Sequence, residues 1–224
     1  MSDALYLVAV GAHPDDIELS MAGLSIRFAR AGHRVTWVVA TDGAAGDGGR
    51  DPALAERRAR EAEAGAASAG AALVALGLPD GQLAWIADAP AAVGTALAGL
   101  APDLIVTHAL NDYHADHRAL ARLVGDTAPI GVPVLLADNM LGLHFAPDLL
   151  VDVTEAFDAK LAALAQHASQ ASLSLPDTVT TWNRFRGLQS GARRFHYAEA
   201  YAVDRRLGAE LRPLLDRIGG YVFV

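Results

Sequence analysis

The sequence predicts a single α/β domain in which a mostly parallel β-sheet is flanked by helices. Short apolar runs rich in β-branched residues end at glycine or at polar loops, as strands buried on both faces do. Longer segments rich in Ala, Leu and Arg alternate with these runs and have the length of helices. A chain of 224 residues that is 52% hydrophobic has the size and the apolar content of one well-buried domain.

The first predicted unit is β–α–β. A strand at Leu5–Val10 precedes a helix at Ile17–Ala31, which Gly32 ends, and a second strand follows at Val35–Ala40. Such a unit crosses over with a right hand. The Gly- and Asp-rich composition of Thr41–Pro52 predicts a loop, at the strand end where open α/β sheets place their ligand loops.

The same alternation continues to about residue 137 and then changes. The next predicted elements are helices at Ala53–Ala69, Pro90–Leu100 and Asp116–Gly125, and strands at Leu73–Leu76, Leu104–Thr107 and Val132–Ala137. The later elements are a strand at Leu149–Val153, a helix at Thr154–Gln170 with Thr154 as its N-cap, a helical segment at Leu175–Gly191 and a mixed segment at Phe195–Val203. The predicted architecture is therefore Rossmann-like in its first two-thirds, with extra C-terminal helices and strands. We expect residues 1–204 to form the domain and residues 205–224 to be a C-terminal extension of it.

Composition argues against several classes of function. The formal net charge is −8, without a basic stripe, which is unfavourable for binding nucleic acid or an anionic membrane surface. The chain has no cysteine, so that any metal must be held by His, Asp or Glu. No apolar stretch has the roughly 20 residues of a membrane span, and the N-terminus does not resemble a signal peptide. We therefore expect a cytoplasmic protein without nucleic-acid or membrane partners. The sequence leaves the oligomeric state open, a homo-oligomer included.

The motif Gly11-Ala12-His13-Pro14-Asp15-Asp16 directly follows the first predicted strand. Pro14 stiffens the turn by fixing its own φ and by restricting His13. Because neighbouring side chains point in different directions, His13 and Asp16 can face one metal ion while Asp15 faces a water bound to it. Carboxylates also favour the N-terminus of a helix, which accounts for the two aspartates but not for the imidazole.

A second polar cluster, Asn111–Arg118, follows the predicted strand Leu104–Thr107. The C-terminal ends of parallel strands meet at one edge of a sheet, so His117 can approach the first motif. Two imidazoles and one carboxylate leave a fourth position for water, which is typical of catalytic zinc. His114 and His117 are three residues apart and could share a helix face, although such a pair by itself is more often polar surface.

With these motifs, the sequence resembles the PIG-L/LmbE-like deacetylases, a family of zinc-dependent N-acetylglucosamine deacetylases. The resemblance rests on His13-Pro14-Asp15-Asp16 and on His114-Ala115-Asp116-His117, where the family usually has Pro in place of Ala115. Further family signatures occur in family order, namely Thr41-Asp42-Gly43 with Gly46, Arg58-Ala59-Arg60-Glu61, Leu78-Pro79-Asp80-Gly81, residues 102–108, Lys160 through Gln170 and residues 197–201. The resemblance covers the chain from about Leu5 to about Tyr201.

The resemblance implies a reaction and a set of residues for it. The reaction is removal of the acetyl group from a small-molecule, N-acetylated amino sugar conjugate of the GlcNAc type, through a metal-bound water. The implied residues are His13, Asp16 and His117 as zinc ligands, Asp15 as general base, His114 as oxyanion stabiliser or general acid, Asp116 as its orienter and Arg58 as a substrate or acetate contact. Asp42, in the loop after the second strand, is expected to bind a sugar hydroxyl or to support the site.

Other interpretations of the sequence remain open. An amidase acting on a larger amide conjugate would use the same motifs. A nucleotide-binding module is disfavoured because the first turn lacks G-x-G-x-x-G and places Asp15 and Asp16 where a pyrophosphate would lie. A metal-binding protein without turnover would not need Asp15 or His114. The donor set also suits Fe(II).

Overall fold

The computed structural model describes residues 4–46, 49–141, 144–204 and 210–224. Its strands are β1 (Tyr6–Gly11), β2 (Arg34–Thr41), β3 (Ala72–Leu78), β4 (Leu104–His108), β5 (Val134–Ala137), β6 (Leu149–Asp152), β7 (Ala198–Val203) and β8 (Tyr221–Phe223). Its helices are α1 (Asp16–Ser20), α2 (Ala22–Arg30), α3 (Pro52–Ser68), α4 (Ala89–Leu100), α5 (Ala115–Thr127), α6 (Phe157–Leu164), α7 (Leu175–Gln189) and α8 (Arg212–Leu215). Among the described helices, none is both long enough and apolar enough to cross a membrane.

The strands form one sheet in the order β3-β2-β1-β4-β5-β7-β6-β8. The first five of these are parallel, and β7, β6 and β8 continue the sheet by antiparallel pairing. From β1, the next strands in sequence, β2 and β3, extend the sheet on one side, whereas β4 and β5 extend it on the other. The gap between β1 and β4 is therefore the switch point of the strand order, where open α/β sheets bind ligands. The structure therefore confirms the predicted Rossmann-like α/β class, and the loops that carry the two motifs flank this switch point.

The central strands are buried on both faces, as their apolar composition predicts. Leu7 and Val106 contribute to the core on one side of the sheet, where α1, α2, α6 and α7 pack. Val8 and Ile105 contribute to the core on the other side, together with Leu120 of α5. All five side chains have no exposed surface. This rigid centre holds the C-terminal ends of β1 and β4 in fixed positions.

The helix predicted at Ile17–Ala31 is two helices, α1 and α2, which are separated at Met21 (φ −133°, ψ −13°). The prediction was wrong because the break is stabilised from outside the segment. The backbone N–H groups of Gly23 and Leu24, in the first turn of α2, each donate to an oxygen of Glu199 in β7, at 2.8 Å. A carboxylate that is distant in the chain thus caps the second helix.

The long helix predicted at Thr154–Gln170 is also interrupted. A 3₁₀ turn precedes α6, and a second 3₁₀ segment begins at Ala168. Thr154 is not a helix N-cap, because its hydroxyl accepts the backbone N–H groups of His196 and Tyr197 at 3.1 and 3.2 Å. The hydroxyl therefore ties the start of this region to the segment before β7, a contact that local sequence does not reveal.

The C-terminal segment belongs to the same sheet. β8 pairs with β6 in antiparallel register, and Leu215 of α8 is fully buried against the main core. Of the predicted extension 205–224, residues 205–209 lie outside the described residues, and the proposed boundary at residue 204 stays a prediction. The segment predicted as mixed at Phe195–Val203 contains the strand β7.

Replacing two helical glycines by alanine is expected to change the free energy of unfolding in opposite directions. A Cβ atom at Gly187 of α7 would lie 2.7 Å from the carbonyl oxygen of His196 and 2.8 Å from that of Phe195. We expect Gly187→Ala to lower the free energy of unfolding by about 1–3 kcal/mol because backbone atoms must move. Gly99, exposed in α4, has open space where an added methyl group would lie, and Gly99→Ala should add about 0.5–1 kcal/mol. Urea unfolding of both variants measures the contrast, and a stabilised Gly187→Ala would contradict it.

Candidate active site

The turn between β1 and α1 holds a strained aspartate. Asp15 has φ 109°, a left-handed conformation that few residues other than glycine adopt. The guanidinium of Arg58 supports the turn by donating to the carbonyl oxygens of Pro14 and Gly43. Its Nη2 atom also lies 3.2 Å from Asp15 Oδ2. The strained backbone and the contact with Arg58 together fix where the Asp15 carboxylate lies, which indicates a functional constraint on that carboxylate.

Three side chains from the two motifs converge on one point. His13 Nδ1 lies 3.3 Å from an oxygen of Asp16, His117 Nε2 lies 3.2 Å from the other oxygen, and the two nitrogens are 3.3 Å apart. Two ligands of a tetrahedral zinc, each about 2.0–2.1 Å from the ion, lie about 3.3 Å apart. The three side chains therefore have the spacing of one face of such a coordination shell.

The far nitrogen of each of these imidazoles meets a carboxylate. His13 Nε2 lies 3.0 Å from Asp80 Oδ1, and His117 Nδ1 lies 3.1 Å from Asp112 Oδ2. Metal-binding histidines typically have a carboxylate beside their second nitrogen, which favours one tautomer and turns the free lone pair towards the ion. The pairing thus fits a metal between His13 Nδ1 and His117 Nε2.

Three overlapping groups of potential ligand atoms lie within 4.8 Å of one another in the described part of the chain. They are His13 with His114 and His117, Asp16 with His108 and His117, and His13 with Asp80 and Asp116. Each group shares at least one residue with the set His13, Asp16 and His117, and hydrogen bonds distinguish the other members from that set. His108 Nε2 accepts from the backbone N–H of Ala12 at 3.0 Å, and His114 Nδ1 accepts from that of Asp116 at 3.2 Å. These two lone pairs are engaged by backbone N–H groups, although His108 Nε2 also lies 3.2 Å from Asp16 Oδ2. His13 Nδ1 and His117 Nε2 face both Asp16 and each other.

The electrostatic surroundings of the cluster favour positive charge. Burial acts to lower the pKa of His117, but Asp16 and Asp112 raise it to about 9. Burial likewise opposes protonation of His13, and Asp16 is the main group that holds its pKa well above the usual value. Surroundings that stabilise two imidazolium cations also suit a divalent cation, which replaces their protons when it binds.

Asp15 differs from Asp16 although the two are adjacent. Burial raises the pKa of Asp15 to about 7, and the Arg58 guanidinium acts in the opposite direction. Burial also acts on Asp16, but His117, His108 and His13 hold its pKa well below the usual range. A carboxyl whose pKa is near neutrality can accept and return a proton, as a general base requires.

His114 is half-buried and lines the same cavity. Its Nδ1 accepts a backbone N–H, which leaves the ring proton on Nε2. Burial and the neighbouring His13 and His117 lower the pKa of His114. With its proton on Nε2, the ring can donate a hydrogen bond from that nitrogen.

The carboxylate of Asp116 contacts His13 rather than the expected partner His114. Its oxygens accept the backbone N–H groups of Gly81 and Leu83 at 2.8 and 3.0 Å, and Oδ2 lies 3.4 Å from His13 Nε2. Only its backbone N–H contacts His114. The sequence suggested an orienter of His114 because the two residues are close in the motif, but the carboxylate faces the β3–α4 turn and the first motif.

Arg58 and Asp42, the two residues expected to contact substrate or to support the site, both bind other parts of the protein. Arg58 lines the cavity but is buried, and its Nη atoms bind Pro14, Gly43 and Asp15 as described above. Asp42 is not among the described residues that line the cavity. Its carboxylate accepts the backbone N–H groups of Ala44 and Asp80 at 3.0 and 3.3 Å and pairs with Arg50 Nη2 at 2.6 Å. Asp42 thus organises its own loop and supports the turn that carries Asp80. Part of that loop, residues 47–48, lies outside the described residues.

Three further residues contact the candidate histidine ligands. Asp80 and Asp112 contact the metal-facing histidines, and the ring of His108 stacks on that of His117, with centroids 3.8 Å apart. Asp80 lies in the Leu-Pro-Asp-Gly turn and Asp112 lies five residues before His117. In the sequence, the only indication of these contacts was that metal-binding histidines usually have a carboxylate beside them. The sequence could not show which carboxylate serves which ring.

The cluster opens into a cavity of about 290 Å³. Its lining includes Asp15, Arg58, Tyr113, His114, Met140 and Gln170. The fold and the site together define a Rossmann-like α/β protein with a candidate metal cluster at the switch point of its sheet.

Residues 8–128 match the PIG-L family, described as GlcNAc-PI de-N-acetylase. This segment includes both motifs and more than half of the 224 residues. The chain therefore belongs to the PIG-L family, and the sequence-based family prediction is confirmed.

Solved structures with the same fold extend over most of the chain. The 4-carboxy-2-hydroxymuconate hydratase of Pseudomonas putida is 22% identical with a TM-score of 0.79, over 89% of this chain and 96% of that one. The N,N′-diacetylchitobiose deacetylase of Pyrococcus horikoshii is 22% identical with a TM-score of 0.76, over 90% and 84%. A conserved protein of Thermus thermophilus is 26% identical with a TM-score of 0.75, over 89% and 94%. Because the fold occurs in both a hydratase and a deacetylase, the reaction must be argued from the site.

Proposed function

We propose that this protein hydrolyses the acetamide of an N-acetylated amino sugar of the N-acetylglucosamine type, with zinc held by His13, Asp16 and His117. The proposal is carried by one observation. Asp15 and His114, which are not needed to hold a metal, line the same cavity as the three candidate ligands. A site that only stored metal would have no use for them. Membership of the PIG-L family supports the same reaction class.

The candidate ligands fit zinc by spacing and by donor type. When bound, zinc lowers the pKa of a water to about 7 and polarises the acetyl carbonyl. Asp80 and Asp112 keep the two imidazoles oriented, and Asp116 assists at His13. Fe(II) suits the same donors and remains the alternative metal.

Asp15, Arg58 and His114 have separate roles in the proposed reaction. Asp15 accepts a proton from the attacking water and returns it to the amide nitrogen, which leaves as an amine while the acetyl group leaves as acetate. Arg58 keeps the Asp15 carboxylate in position through its contact at 3.2 Å. His114 donates its Nε2 proton in a hydrogen bond to the carbonyl oxygen as negative charge develops there.

The proposed function is tested by amine release. N-acetylglucosamine conjugates are incubated with the protein, and the free amine and the acetate are measured before chelation, after chelation and after zinc is restored. We expect equal amounts of amine and acetate, a rate that falls to background on chelation, and recovery with zinc. A protein with one zinc bound that releases no amine from any N-acetylated amino sugar would contradict the proposal.

Metal content tests the ligand assignment separately from activity. We expect His117→Ala to lose the metal, from about one ion per chain to nearly none, because two remaining ligands do not hold zinc firmly. His196→Ala is the matched control, since His196 is exposed and does not line the cavity. Elemental analysis after dialysis measures both. A full complement of metal in His117→Ala would disprove its assignment.

We further propose, from the sequence, that the protein is cytoplasmic and has no nucleic-acid or membrane partner. The sequence leaves its oligomeric state open, a homo-oligomer included.

A further inference from the structure

A buried pair of polar side chains joins α1 to the segment that follows α6 and has no part in the reaction described above. Nε2 of His167 lies 2.8 Å from Oε1 of Glu18, and the two residues are 3% and 2% exposed. Burial acts to lower the pKa of His167, but its hydrogen bond with Glu18 and the charge of that carboxylate raise it, so the imidazole donates and the carboxylate accepts. Nδ1 of the ring is buried without a partner among the described residues. The contact with Glu18 therefore sets the direction of the ring.

Glu18 belongs to α1, the short helix that begins at Asp16. Because α1 has only five residues, its own hydrogen bonds hold it weakly. Successive residues of a helix are about 100° apart around its axis, so Glu18 projects about 200° away from Asp16. Asp16 contacts His13 and His117 on one side of the helix. Glu18 contacts His167 on the other side, and a rotation of α1 that moved the candidate ligand would break this second contact.

His167 is itself fixed by two further elements. Its backbone N–H donates to the carbonyl oxygen of Leu164, the last residue of α6, at 3.1 Å. Two residues later, Ser169 donates its backbone N–H and its hydroxyl to the two oxygens of Glu61 in α3, at 2.9 and 2.6 Å. The partner of Glu18 is thus attached to α6 and α3, neither of which belongs to the first motif.

One face of α3 supports this arrangement. Arg58, Glu61 and Gly65 are three and four residues apart, so they lie on the same side of the helix. A Cβ atom at Gly65 would overlap Oε1 of Glu18 and would lie 3.4 Å from Nε2 of His167. Glycine at this position therefore leaves the space in which the carboxylate meets the ring.

A buried polar pair contributes more to geometry than to stability. Apolar side chains of similar volume generally stabilise a core as well or better, because they avoid the cost of removing polar groups from water. A hydrogen bond differs from apolar contacts in its narrow range of distance and direction. The pair is therefore suited to fix where α1 lies and how it is rotated.

We propose that Glu18 and His167 are positioning residues, which hold α1 so that Asp16 faces the other two candidate ligands and Asp15 faces the catalytic cavity. This proposal rests on the proposed function and adds two residues that act through α1 rather than on the substrate. Replacing a residue that supports a metal ligand from outside the coordination shell typically lowers metal affinity or activity by about 10- to 100-fold. The loss of this contact should have an effect in the same range.

Glu18→Ala removes the contact and leaves an imidazole that can stay neutral. We expect the zinc affinity, measured by competition with a chromophoric chelator, to fall about 10- to 100-fold. With zinc at saturation, kcat should fall about tenfold while KM changes little, because no group that faces the substrate is altered. Glu18→Gln keeps an acceptor for His167 and should retain most of the zinc affinity and most of kcat. The matched control is Glu63→Ala, since Glu63 is exposed on α3.

Two variants at Gly65 separate positioning from packing. Gly65→Ala displaces the Glu18 carboxylate, although alanine itself favours the helix, so we expect zinc affinity to fall about tenfold with little change in the melting temperature of the metal-free protein. In the double variant of Glu18→Ala with Gly65→Ala, the added methyl group occupies space that the carboxylate leaves. Its melting temperature should exceed that of Glu18→Ala, whereas its zinc affinity should stay low. Gly99→Ala is the control for the glycine substitution, because an added methyl group meets open space there.

Zinc affinity is measured beside turnover, so that the two proposals fail separately. Zinc affinity that recovers together with the melting temperature in the double variant would show that the pair only fills space, and it would overturn the positioning role. Unaltered zinc affinity in both Glu18→Ala and Gly65→Ala would also overturn that role and leave the deacetylase proposal standing. Zinc affinity that depends on the pair, without amine release from any N-acetylated amino sugar, would support the positioning role and contradict the proposed reaction.

Discussion

Replacing Asp15 by asparagine is expected to reduce kcat by roughly 10²–10⁴-fold, the typical contribution of a general base, while the bound metal stays in place. Asparagine has the same shape and, like aspartate, tolerates the left-handed conformation at φ 109°. The three candidate ligands are untouched, and Arg58 keeps its bonds to Pro14 and Gly43. The substitution therefore removes the proton acceptor without removing the turn. Amine release and elemental analysis on the same preparation measure the two effects.

A charge-matched control is available for this experiment. Asp158 is exposed in the first turn of α6, and Asp158→Asn should retain full turnover. Near-complete activity of Asp15→Asn with metal bound would show that another group accepts the proton. Loss of both metal and activity would instead mean that Asp15 helps to hold the ion.

Replacing Glu199 by alanine is expected to destabilise the protein by more than about 4 kcal/mol. Oε1 of Glu199 accepts from Lys160 Nζ at 2.6 Å, and Lys160 has no exposed surface. Burial lowers the pKa of Lys160, which Glu199 opposes. Removing one partner of a buried ion pair typically costs about 3–5 kcal/mol. Loss of the bonds to Gly23 and Leu24 removes a helix cap, which costs about 1 kcal/mol more.

This loss is large against the roughly 5–15 kcal/mol that hold a typical domain together. Denaturant unfolding measures it, with Glu63→Ala as the control, because Glu63 is exposed on α3 and should change stability by no more than about 0.5 kcal/mol. The double variant Lys160→Met with Glu199→Gln should recover part of the loss because it leaves no unpaired buried charge. A change below about 1 kcal/mol in Glu199→Ala would show that the ion pair and cap are dispensable.

Much of the fold could be predicted because strands and helices alternate with clear local patterns. The parallel strands β1, β2 and β4 are apolar along most of their length, which is the pattern of burial on both faces. The errors occurred where a distant group overrides local preference. Ile17–Ala31 has the pattern of one helix, and it breaks because Glu199, 176 residues after Gly23, caps its second half. No property of the segment itself reveals that partner.

The site divides in the same way. The placement of His13, Asp15 and Asp16 after one strand, and of His114 and His117 after another, was sufficient to predict that these side chains meet at one sheet edge. Their partners could not be predicted. The space occupied by Asp80 and Asp112 depends on how two further loops fold over the sheet.

By itself, the sequence determined the α/β class, the family and the identity of the side chains that gather at the switch point, because these follow from strand periodicity and from short motifs. Only the tertiary structure decided which nitrogen of His13 faces the candidate metal position, that the carboxylate of Asp116 contacts His13 and not His114, and that Asn139 is buried beside the cluster without a partner among the described residues. These features depend on the directions and distances of groups far apart in the chain, which packing sets and a linear pattern does not contain.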